Sequence, residues 1–439
     1  MFMKADEFSS SAFMPNSPTM SNLKNLYNQY PRQFWLMILG VVVSTAGGSM
    51  VWPFMLIYVG GKLSLPLSTV ASLNSINSGV GLFASFLAGS LTDRIGRKGV
   101  MVVSLAMISV AYFFLVRAET YLQFALLMAL VGLSNPLYQV GADAMLADII
   151  PSHKRTDAYA ISRIANNAAF GLGPAVGGFL AATSYSLAFY GASAGFVIYA
   201  VIWLIFARET LGQTPGEKQT SALAEQAPID AQREAERPNG YRRIFNDKPF
   251  MTFVALVGMG LIAPSILWVL MPVYAKVNFN ISEAQFGWIP TTNALMCVFL
   301  QYAVMKITRK HPTLLVMSCG MLIYALGAGS VALMSGFWGF WLSMVILTFG
   351  ELTVVPIASK YVADTAPPDL RGRYMSLYWF GWGMSRTLAP LIGGYLNDAV
   401  SPRSIWIGGL LIGLISTFGL FLLHTLTVRR QNASLSTAT

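Results

Sequence analysis

The chain has 439 residues, of which 55% are hydrophobic and 11% are charged, and its mean hydropathy is +0.56. This composition is too apolar for an ordinary soluble protein, so it excludes that class and indicates a protein of the lipid bilayer. The net charge of +10 would indicate a nucleic-acid partner only if the basic residues formed one continuous face.

Twelve apolar runs are long enough to cross a bilayer, since a spanning helix needs about 20 residues. They cover roughly 33–59, 67–91, 99–116, 121–149, 158–182, 185–207, 250–275, 283–305, 313–335, 337–365, 374–397 and 404–427. The predicted segments are a cytoplasmic N-terminal segment 1–32, a six-helix bundle 33–207, a cytoplasmic central loop 208–248, a second bundle 249–428 and a cytoplasmic tail 429–439.

The positions of the 29 Lys and Arg residues predict the orientation. With both termini in the cytoplasm, 22 of them fall in cytoplasmic segments. Four are in loops on the other side of the membrane: Lys62, Arg117, Lys276 and Arg403. Three are within predicted spans: Arg163, Lys360 and Arg386. Basic residues concentrate in cytoplasmic loops of plasma-membrane proteins, so the excess charge is a topology signal and predicts no nucleic-acid partner.

The remaining composition predicts neither a cleaved leader nor a cofactor. Residues 1–31 are polar and lack the apolar core of a secretory signal, so we expect the first span to direct insertion. Cys297 and Cys319 lie in apolar runs, and the three histidines are far apart, so we expect no disulfide, metal site or other cofactor.

An internal repeat relates the two predicted bundles. Residues 147–180 align without a gap to 363–396 at an offset of 216, with nine identities that include Asp148/Asp364, Pro174/Pro390 and Gly178/Gly394. The sequence therefore predicts an all-α membrane protein with twelve transmembrane helices in two pseudo-symmetric six-helix bundles. Such an arrangement places a substrate site between the bundles near the midplane and supports alternating access.

The stretch GSLTDRIGRK (89–98) concentrates charge between two apolar runs. It resembles the G-x-x-x-D-R-x-G-R-[RK] loop between the second and third spans of the major facilitator superfamily. That resemblance implies a gating loop in which an acid docks on the end of a neighbouring helix and glycines allow close approach. The loop residues are Gly89, Asp93, Arg94, Gly96, Arg97 and Lys98.

The stretch GLGPAVGG (171–178) resembles the G-P-x-x-G-G motif of proton-driven antiporters of this superfamily. The resemblance implies a bend and tight packing of the fifth span at Gly173, Pro174, Gly177 and Gly178. One departure is Ala169, which stands where the longer motif has another glycine. The alternative is ordinary packing of small residues between membrane helices.

The stretches VGADAMLADI (140–149) and TFGELTVVPIASKYVAD (348–364) resemble the fourth and tenth spans of bacterial twelve-span drug:H+ antiporters. The resemblance implies a proton-coupling or cation-binding role for Asp148 and Glu351. The fourth-span arginine of the superfamily is missing near Met128, and the seventh-span acid of some exporters is missing near Trp268.

Ionisable residues inside spans are costly, by about 2.5–3.5 kcal/mol each on insertion scales, so each one calls for a functional hypothesis. Glu351 is predicted roughly 20 Å into the tenth span, at about 1.5 Å per residue. A proton and a cationic substrate can compete for one such carboxylate, which is a mechanism for exchange. The alternative is a structural pair with Arg386 or Lys360.

Three further charges are candidates for proton coupling. Asp148 either couples protons or pairs with Arg155, as its repeat partner Asp364 would pair with Arg371. Asp143 lies deeper in the fourth span, and we expect Arg163 of the fifth span to pair with it.

The predicted substrate cavity is lined by polar and aromatic residues, whose amides and rings suit lipophilic cations. They are Asn74, Asn77, Gln139, Asn166, Asn167, Trp268, Asn293, Tyr378, Trp382 and Arg386.

The leading hypothesis is a secondary active transporter that exports lipophilic or cationic drugs in exchange for protons. Its partners would be a small-molecule substrate, protons and the lipid bilayer, with the single chain as the working unit. The alternatives are a carrier of one metabolite (a sugar, an amino-acid derivative or a glycolipid) and a membrane receptor that transports nothing. An enzyme or ATP-driven pump is disfavoured because no phosphate-binding loop is present. The choice of proton over sodium follows from the resemblance alone.

Overall fold

The computed structural model describes residues 27–211, 240–367 and 370–436, and within these ranges the regular structure is helical. The predicted central loop 208–248 falls largely outside the described residues. We call residues up to 211 the first half and residues from 240 onward the second half. The helices of the first half are α1 (Arg32–Val51), α2 (Met55–Leu63), α3 (Leu67–Ile95), α4 (Arg97–Leu115), α5 (Tyr121–Ile149), α6 (Ser152–Thr183) and α7 (Tyr185–Phe206).

The second half repeats this order after a short helix. Its helices are α8 (Gly240–Asn246), α9 (Lys248–Gly260), α10 (Ile262–Phe279), α11 (Glu283–Thr308), α12 (Thr313–Ser330), α13 (Gly336–Thr365), α14 (Arg371–Ala399) and α15 (Ser404–Ser436). Several helix starts have clear local causes. Prolines stand just before α1, α3, α6 and α12, and reciprocal side-chain caps at Thr120/Gln123 and Ser282/Gln285 begin α5 and α11.

Within the described residues, nine helical segments are long and apolar enough to cross a membrane, with α1–α2 and α9–α10 each counted as one segment. The chain is therefore a multi-pass membrane protein. Three further long helices, α6, α11 and α14, are not among the nine. They have the lengths of spanning helices and pack in the same bundle, but they carry more amides and charges. That these three helices also cross the membrane, which would give twelve spans, remains a prediction.

The internal repeat extends beyond the aligned stretch, and many helix ends keep the same offset. Helices begin 216 residues apart at Arg32/Lys248, Leu67/Glu283 and Arg97/Thr313, and they end 216 residues apart at Ile149/Thr365 and Thr183/Ala399. Even the two non-glycine residues with positive φ, Ser64 and Asn280, are equivalent, and each ends a helix. The two halves are thus built on the same frame, although few identities survive outside 147–180 and 363–396.

The two ends of the bundle differ in charge and in packing. We call the end at which α1 and α9 begin the basic face, because the loops there carry Arg97, Lys98, Arg309 and Lys310, and we call the other end the opposite face. The halves meet along two equivalent helix pairs, α3 with α14 and α6 with α11.

At the opposite face the halves are in close contact at two equivalent glycines. A Cβ atom on Gly178 would meet the backbone of Glu283, and one on Gly394 would meet the backbone of Ser68, so neither site has room for a side chain. The amide of Ser68, in the first turn of α3, also donates a 2.8 Å hydrogen bond to Asp398 at the end of α14. A carboxylate at a helix N-terminus is favourably placed, so this contact ties the halves together.

The interior is open toward the basic face. Gln139, Asp143 and Tyr159 are exposed and lie in contact in a row, with Gln139 Nε2 about 3.4 Å from Asp143 and the Tyr159 hydroxyl 3.4 Å from the Asp143 carbonyl. In the part of the chain that the structure describes, no ion pair joins the halves at this face. The conformation is therefore closed at the opposite face and open at the basic face.

Candidate substrate cavity and gating loop

A cavity of about 700 Å³ lies between the halves. All seven helices of the first half and the helices α10 to α14 of the second contribute residues to its lining. Its size lies within the usual range for small-molecule sites, and such sites combine apolar walls with a few polar groups.

Eight of the ten predicted cavity residues line this space. They are Asn74, Asn77, Gln139, Asn167, Trp268, Asn293, Trp382 and Arg386. The other two predictions are corrected. Asn166 is turned toward α1, where it accepts a 2.7 Å hydrogen bond from Thr45. Tyr378 is 2% exposed and accepts a 3.0 Å hydrogen bond from the Trp382 indole, so it supports a cavity residue from behind.

Glu351 lines the cavity from the middle of α13. Asn293 of α11 donates a 2.8 Å hydrogen bond from Nδ2 to Glu351 Oε2, and the same nitrogen lies 2.9 Å from Thr348 Oγ1. Both supporting residues are buried. The alternative, a structural pair with Arg386 or Lys360, does not form. Lys360 lies two turns closer to the basic face and pairs with Asp364 at 3.5 Å, and no ion pair joins Glu351 to Arg386. The carboxyl group therefore has a neutral hydrogen-bond donor and no cationic partner among the described residues.

The cavity holds one guanidinium group, that of Arg386 on α14. Its side chain is exposed to the cavity, and no acidic group or hydrogen-bond acceptor of the described residues contacts it. Glu351 is the one carboxylate among the described lining residues. The cavity thus contains one acid and one base that are not paired with each other.

Aromatic rings form part of the wall. Trp52 and Trp268 come from different halves, and their ring centroids lie 6.0 Å apart. Phe170 lies edge-on to Trp268 at 5.9 Å. Trp52 occupies the 3-10 turn between α1 and α2, where Pro53 cannot donate a backbone hydrogen bond. These rings offer flat apolar surface to a ligand.

The repeat offset brings several lining residues together as equivalent pairs. Trp52 is equivalent to Trp268 and Asn77 to Asn293, and all four line the cavity. Among the other equivalent pairs that line it, two place a neutral residue opposite a charged one: Asn135 is equivalent to Glu351 and Phe170 to Arg386. Both charges of the cavity therefore belong to the second half, and the first half has an amide and a phenyl ring in their places.

The other predicted coupling residues lie nearer the basic face. Asp143 contacts Gln139, one turn earlier on its own helix, and Tyr159 of α6. No ion pair joins it to Arg163, so that expected pair is corrected: Arg163 lies one turn beyond Tyr159. Neither residue lines the cavity.

Asp148 has a different partner from the predicted one. It lies 3.1 Å from Arg97 Nε and accepts a 2.8 Å hydrogen bond from the Thr210 hydroxyl. Arg155 instead donates to the carbonyl of Ile150. The equivalent expectation for the second half is corrected too, since Asp364 pairs with Lys360 rather than Arg371.

The predicted gating loop forms a network within the first half. Asp93, whose side chain is 68% exposed, lies 3.4 Å from Arg97, which in turn contacts Asp148. Gly96 adopts φ +100°, a conformation that favours glycine, as its place in the motif predicts. Gly89 departs from the expectation, because no atom lies near the place of its missing side chain and it gives no close approach. Arg94 is exposed at the end of α3.

Glu209, just after α7, is the centre of this network. Its carboxylate accepts backbone hydrogen bonds from Arg97 and Lys98 at 3.0 Å each, and from Thr210 and Leu211 at 2.9 and 3.0 Å. The first two amides belong to the N-terminus of α4, where an anion is stabilised. Partial burial alone would raise the pKa of Glu209, but these four amide hydrogen bonds outweigh it and lower the pKa below the usual value for a glutamate.

Replacement of Glu209 by Ala is expected to loosen this loop. Loss of the acceptor should speed hydrogen exchange at the amides of Arg97, Lys98 and Thr210 on the order of tenfold, or about 1.4 kcal/mol. Because the folded-state pKa is lowered, the stabilisation is present above the ordinary glutamate pKa and is lost as pH falls through the folded value. The difference between wild type and variant should therefore shrink in acid.

Exchange measured by mass spectrometry at neutral and acidic pH checks this prediction. Glu119→Ala, on the loop before α5 at the opposite face, is the matched control. Equal protection of the loop amides in wild type and Glu209→Ala at neutral pH would contradict it.

The GLGPAVGG segment lies within an unbroken α6, which passes through Pro174. Gly173 and Gly177 pack against α1, where Cβ atoms would meet Ser49 and the backbone of Met50. Gly178 packs against α11 of the other half. The segment therefore joins α6 both to its own half and across the interface.

Sequence reasoning missed Glu209 and Asp398, which bind backbone amides and so leave no side-chain pattern in the sequence. It also missed Trp52 and Asn135. For these two a signal existed, because the repeat offset of 216 maps them onto Trp268 and Glu351, which were candidates.

Two similar halves of membrane-spanning helices around a cavity open at one face define a multi-pass membrane transporter. The chain belongs to the Major Facilitator Superfamily, whose family model matches residues 37–277 and 262–438. The protein is therefore a transporter and not an enzyme.

Curated relatives are similar along most of their length. An uncharacterized MFS-type transporter of Bacillus subtilis, YttB, is 25% identical over 393 residues, which cover 88% of this chain and 94% of the relative. A Na(+), Li(+), K(+)/H(+) antiporter of Planococcus maritimus is 24% identical over 78% of this chain and 84% of its own. The quinolone resistance protein NorA of Staphylococcus aureus is 23% identical over 82% and 92%.

Solved structures share the fold at low sequence identity. The nucleoside transporter NupG superposes with a TM-score of 0.75 at 12% identity, covering 90% of this chain and 99% of that one. A peptide transporter, POT, in complex with sulfate superposes with a TM-score of 0.71 at 17% identity, covering 91% and 95%.

Proposed function

We propose that this protein is a proton-coupled antiporter of the plasma membrane that exports lipophilic, cationic compounds by alternating access. Both termini and the basic face lie in the cytoplasm in this proposal, as the distribution of Lys and Arg predicts. The conformation described above is then the inward-open state, which receives substrate from the cytoplasm.

The observation that carries the proposal is the environment of Glu351. Its carboxyl group lines the cavity, accepts a hydrogen bond from the neutral amide of Asn293 and forms no ion pair with a cation of the described residues. A carboxylate in this position can take up either a proton or a cationic substrate. Exclusion of one by the other would link outward movement of the substrate to inward movement of protons.

Two further findings support the proposal. NorA is named for quinolone resistance and the Planococcus relative for cation/H(+) antiport, and a proton-coupled drug exporter combines these two properties. The cavity also offers the aromatic faces of Trp52, Trp268 and Trp382, which attract lipophilic cations by about 0.5–2 kcal/mol each.

The test is uptake of ethidium by proteoliposomes that contain the purified protein, with and without an imposed pH gradient. Accumulation should follow the gradient and should collapse when nigericin dissipates it. Liposomes without protein provide the blank, and a sodium gradient of equal size tests the choice of ion.

Ethidium movement that ignores the pH gradient would contradict proton coupling. A protein that neither binds nor moves ethidium, but moves a single sugar, amino-acid derivative or glycolipid, would instead be a metabolite carrier.

A further inference from the structure

Arg386 is a charged group whose role the proposed function does not explain. It lies 15 residues into α14 from Arg371, or about 22 Å along the helix axis, and so sits deep in the bundle. Its side chain is open to the cavity and has no acidic or hydrogen-bonded partner among the described residues. The exchange of a proton for a cation on Glu351 does not use this guanidinium.

An unpaired arginine at this depth is costly, and partners normally offset that cost. Two lysines of the described membrane helices have such partners. Lys276 lies 3.1 Å from Glu283 and Lys360 lies 3.5 Å from Asp364. Only the ligand space lies in front of Arg386, so the missing partner belongs to the ligand. The group that best matches a guanidinium is a carboxylate, which accepts two parallel hydrogen bonds from it.

Glu351 lies at a similar depth on the neighbouring helix α13, 14 residues from the basic-face end at Thr365. The two side chains line one cavity without forming an ion pair. Their equivalents in the first half, Phe170 and Asn135, are neutral. The second half thus presents a separate cationic site and a separate anionic site, while the other described lining residues are uncharged.

We propose that the cavity selects zwitterionic amphiphiles, with the ligand carboxylate bound by Arg386 and the ligand ammonium by Glu351. The aromatic body of the ligand packs against Trp268 and Phe170. This inference rests on the proposed function, since it specifies the substrate class of the same site. Protonation of Glu351 releases the ammonium end, while the carboxylate end stays on Arg386 and keeps the ligand oriented.

The test is equilibrium binding to the full-length protein in nanodiscs at neutral pH, without any gradient. The probes are norfloxacin, which carries a carboxylate and a piperazine ammonium, and its ethyl ester, which keeps the ammonium and the rings. Wild type should bind the acid at least tenfold more tightly than the ester.

Arg386→Gln should abolish this preference while leaving the affinity for the ester within a factor of about two of wild type. Retained ester binding also reports that the variant is folded. Arg386→Lys should keep part of the preference, because it retains the charge and loses the paired geometry. Arg403→Gln, on the loop between α14 and α15, makes the same change outside the cavity and should behave as wild type.

Equal affinity of wild type for acid and ester would overturn the inference, and so would an equal loss of both in Arg386→Gln. These outcomes are separable from failure of the proposed function. Binding preference is measured without a pH gradient, whereas the antiport proposal fails when ethidium uptake ignores the gradient. A wild type with the preference for the acid but no gradient response would support the site and reject proton coupling.

Discussion

Replacement of Glu351 by Gln is expected to abolish proton-driven export while the protein remains folded. Glutamine has the same shape and can still accept the hydrogen bond from Asn293, so the local packing is preserved. It can neither bind a proton nor attract a cation, and the exchange of one for the other is lost. The gradient-driven rate should fall at least tenfold, which corresponds to about 1.4 kcal/mol or more.

The measurement is the initial rate of ethidium uptake in proteoliposomes with an inward or outward pH gradient. Glu119→Gln, which makes the same change on an exposed loop at the opposite face, should leave the rate unchanged. Glu351→Asp keeps a carboxyl group one methylene shorter and should retain part of the coupling. Wild-type, gradient-dependent rates in Glu351→Gln would remove this residue from the coupling step.

A valine at Gly178 or at Gly394 is expected to open the opposite face. In each case the new side chain would meet the backbone of the other half, which cannot turn aside as a flexible side chain can. Overpacking of this kind costs about 1–3 kcal/mol, so the closed state should become less populated on the order of tenfold. The two variants should act alike because the two glycines are equivalent in the repeat.

Cys297 is a native reporter for this change, because it lines the cavity. In a Cys319→Ser background, intact cells are exposed to a membrane-impermeant thiol reagent from the side that the predicted topology assigns to the opposite face. Both valine variants should speed modification of Cys297. Gly191→Val is the matched control, since no atom lies near the missing side chain of Gly191. Modification at the wild-type rate in both variants would contradict the role of these glycines.

Most of the fold could be predicted from the sequence, because the membrane imposes long apolar helices and their lengths survive when identities do not. The repeat at 147–180 and 363–396 already had the offset that relates many of the helix ends in the described residues. The least apolar of the predicted spans, α6, α11 and α14, are also the hardest to count by hydropathy. These helices face the cavity and the other half, so amides and charges replace part of their apolar surface.

The site could be predicted less completely, and the reason differs from residue to residue. Cavity amides such as Asn77 and Asn293 were recognisable as polar groups in apolar runs. The ion pairs of Asp148 and Asp364 were assigned to the nearest arginine along the chain, but packing gave them Arg97 and Lys360 instead. Glu209 and Asp398 bind main-chain amides, which every residue has, so no pattern of side chains marks them.

The paired glycine contacts at the opposite face bear on how tightly the cycle can be coupled. Gly178 and Gly394 lie on the two separate seams along which the halves meet, and the proposed alternating access would move the halves as bodies about an axis between those seams. Loosening one seam while the other stays shut would require bending long helices, so both must part together. If both seams open together, few molecules are half-open at any time. Half-open states are the ones through which protons would leak across the membrane without transport of substrate.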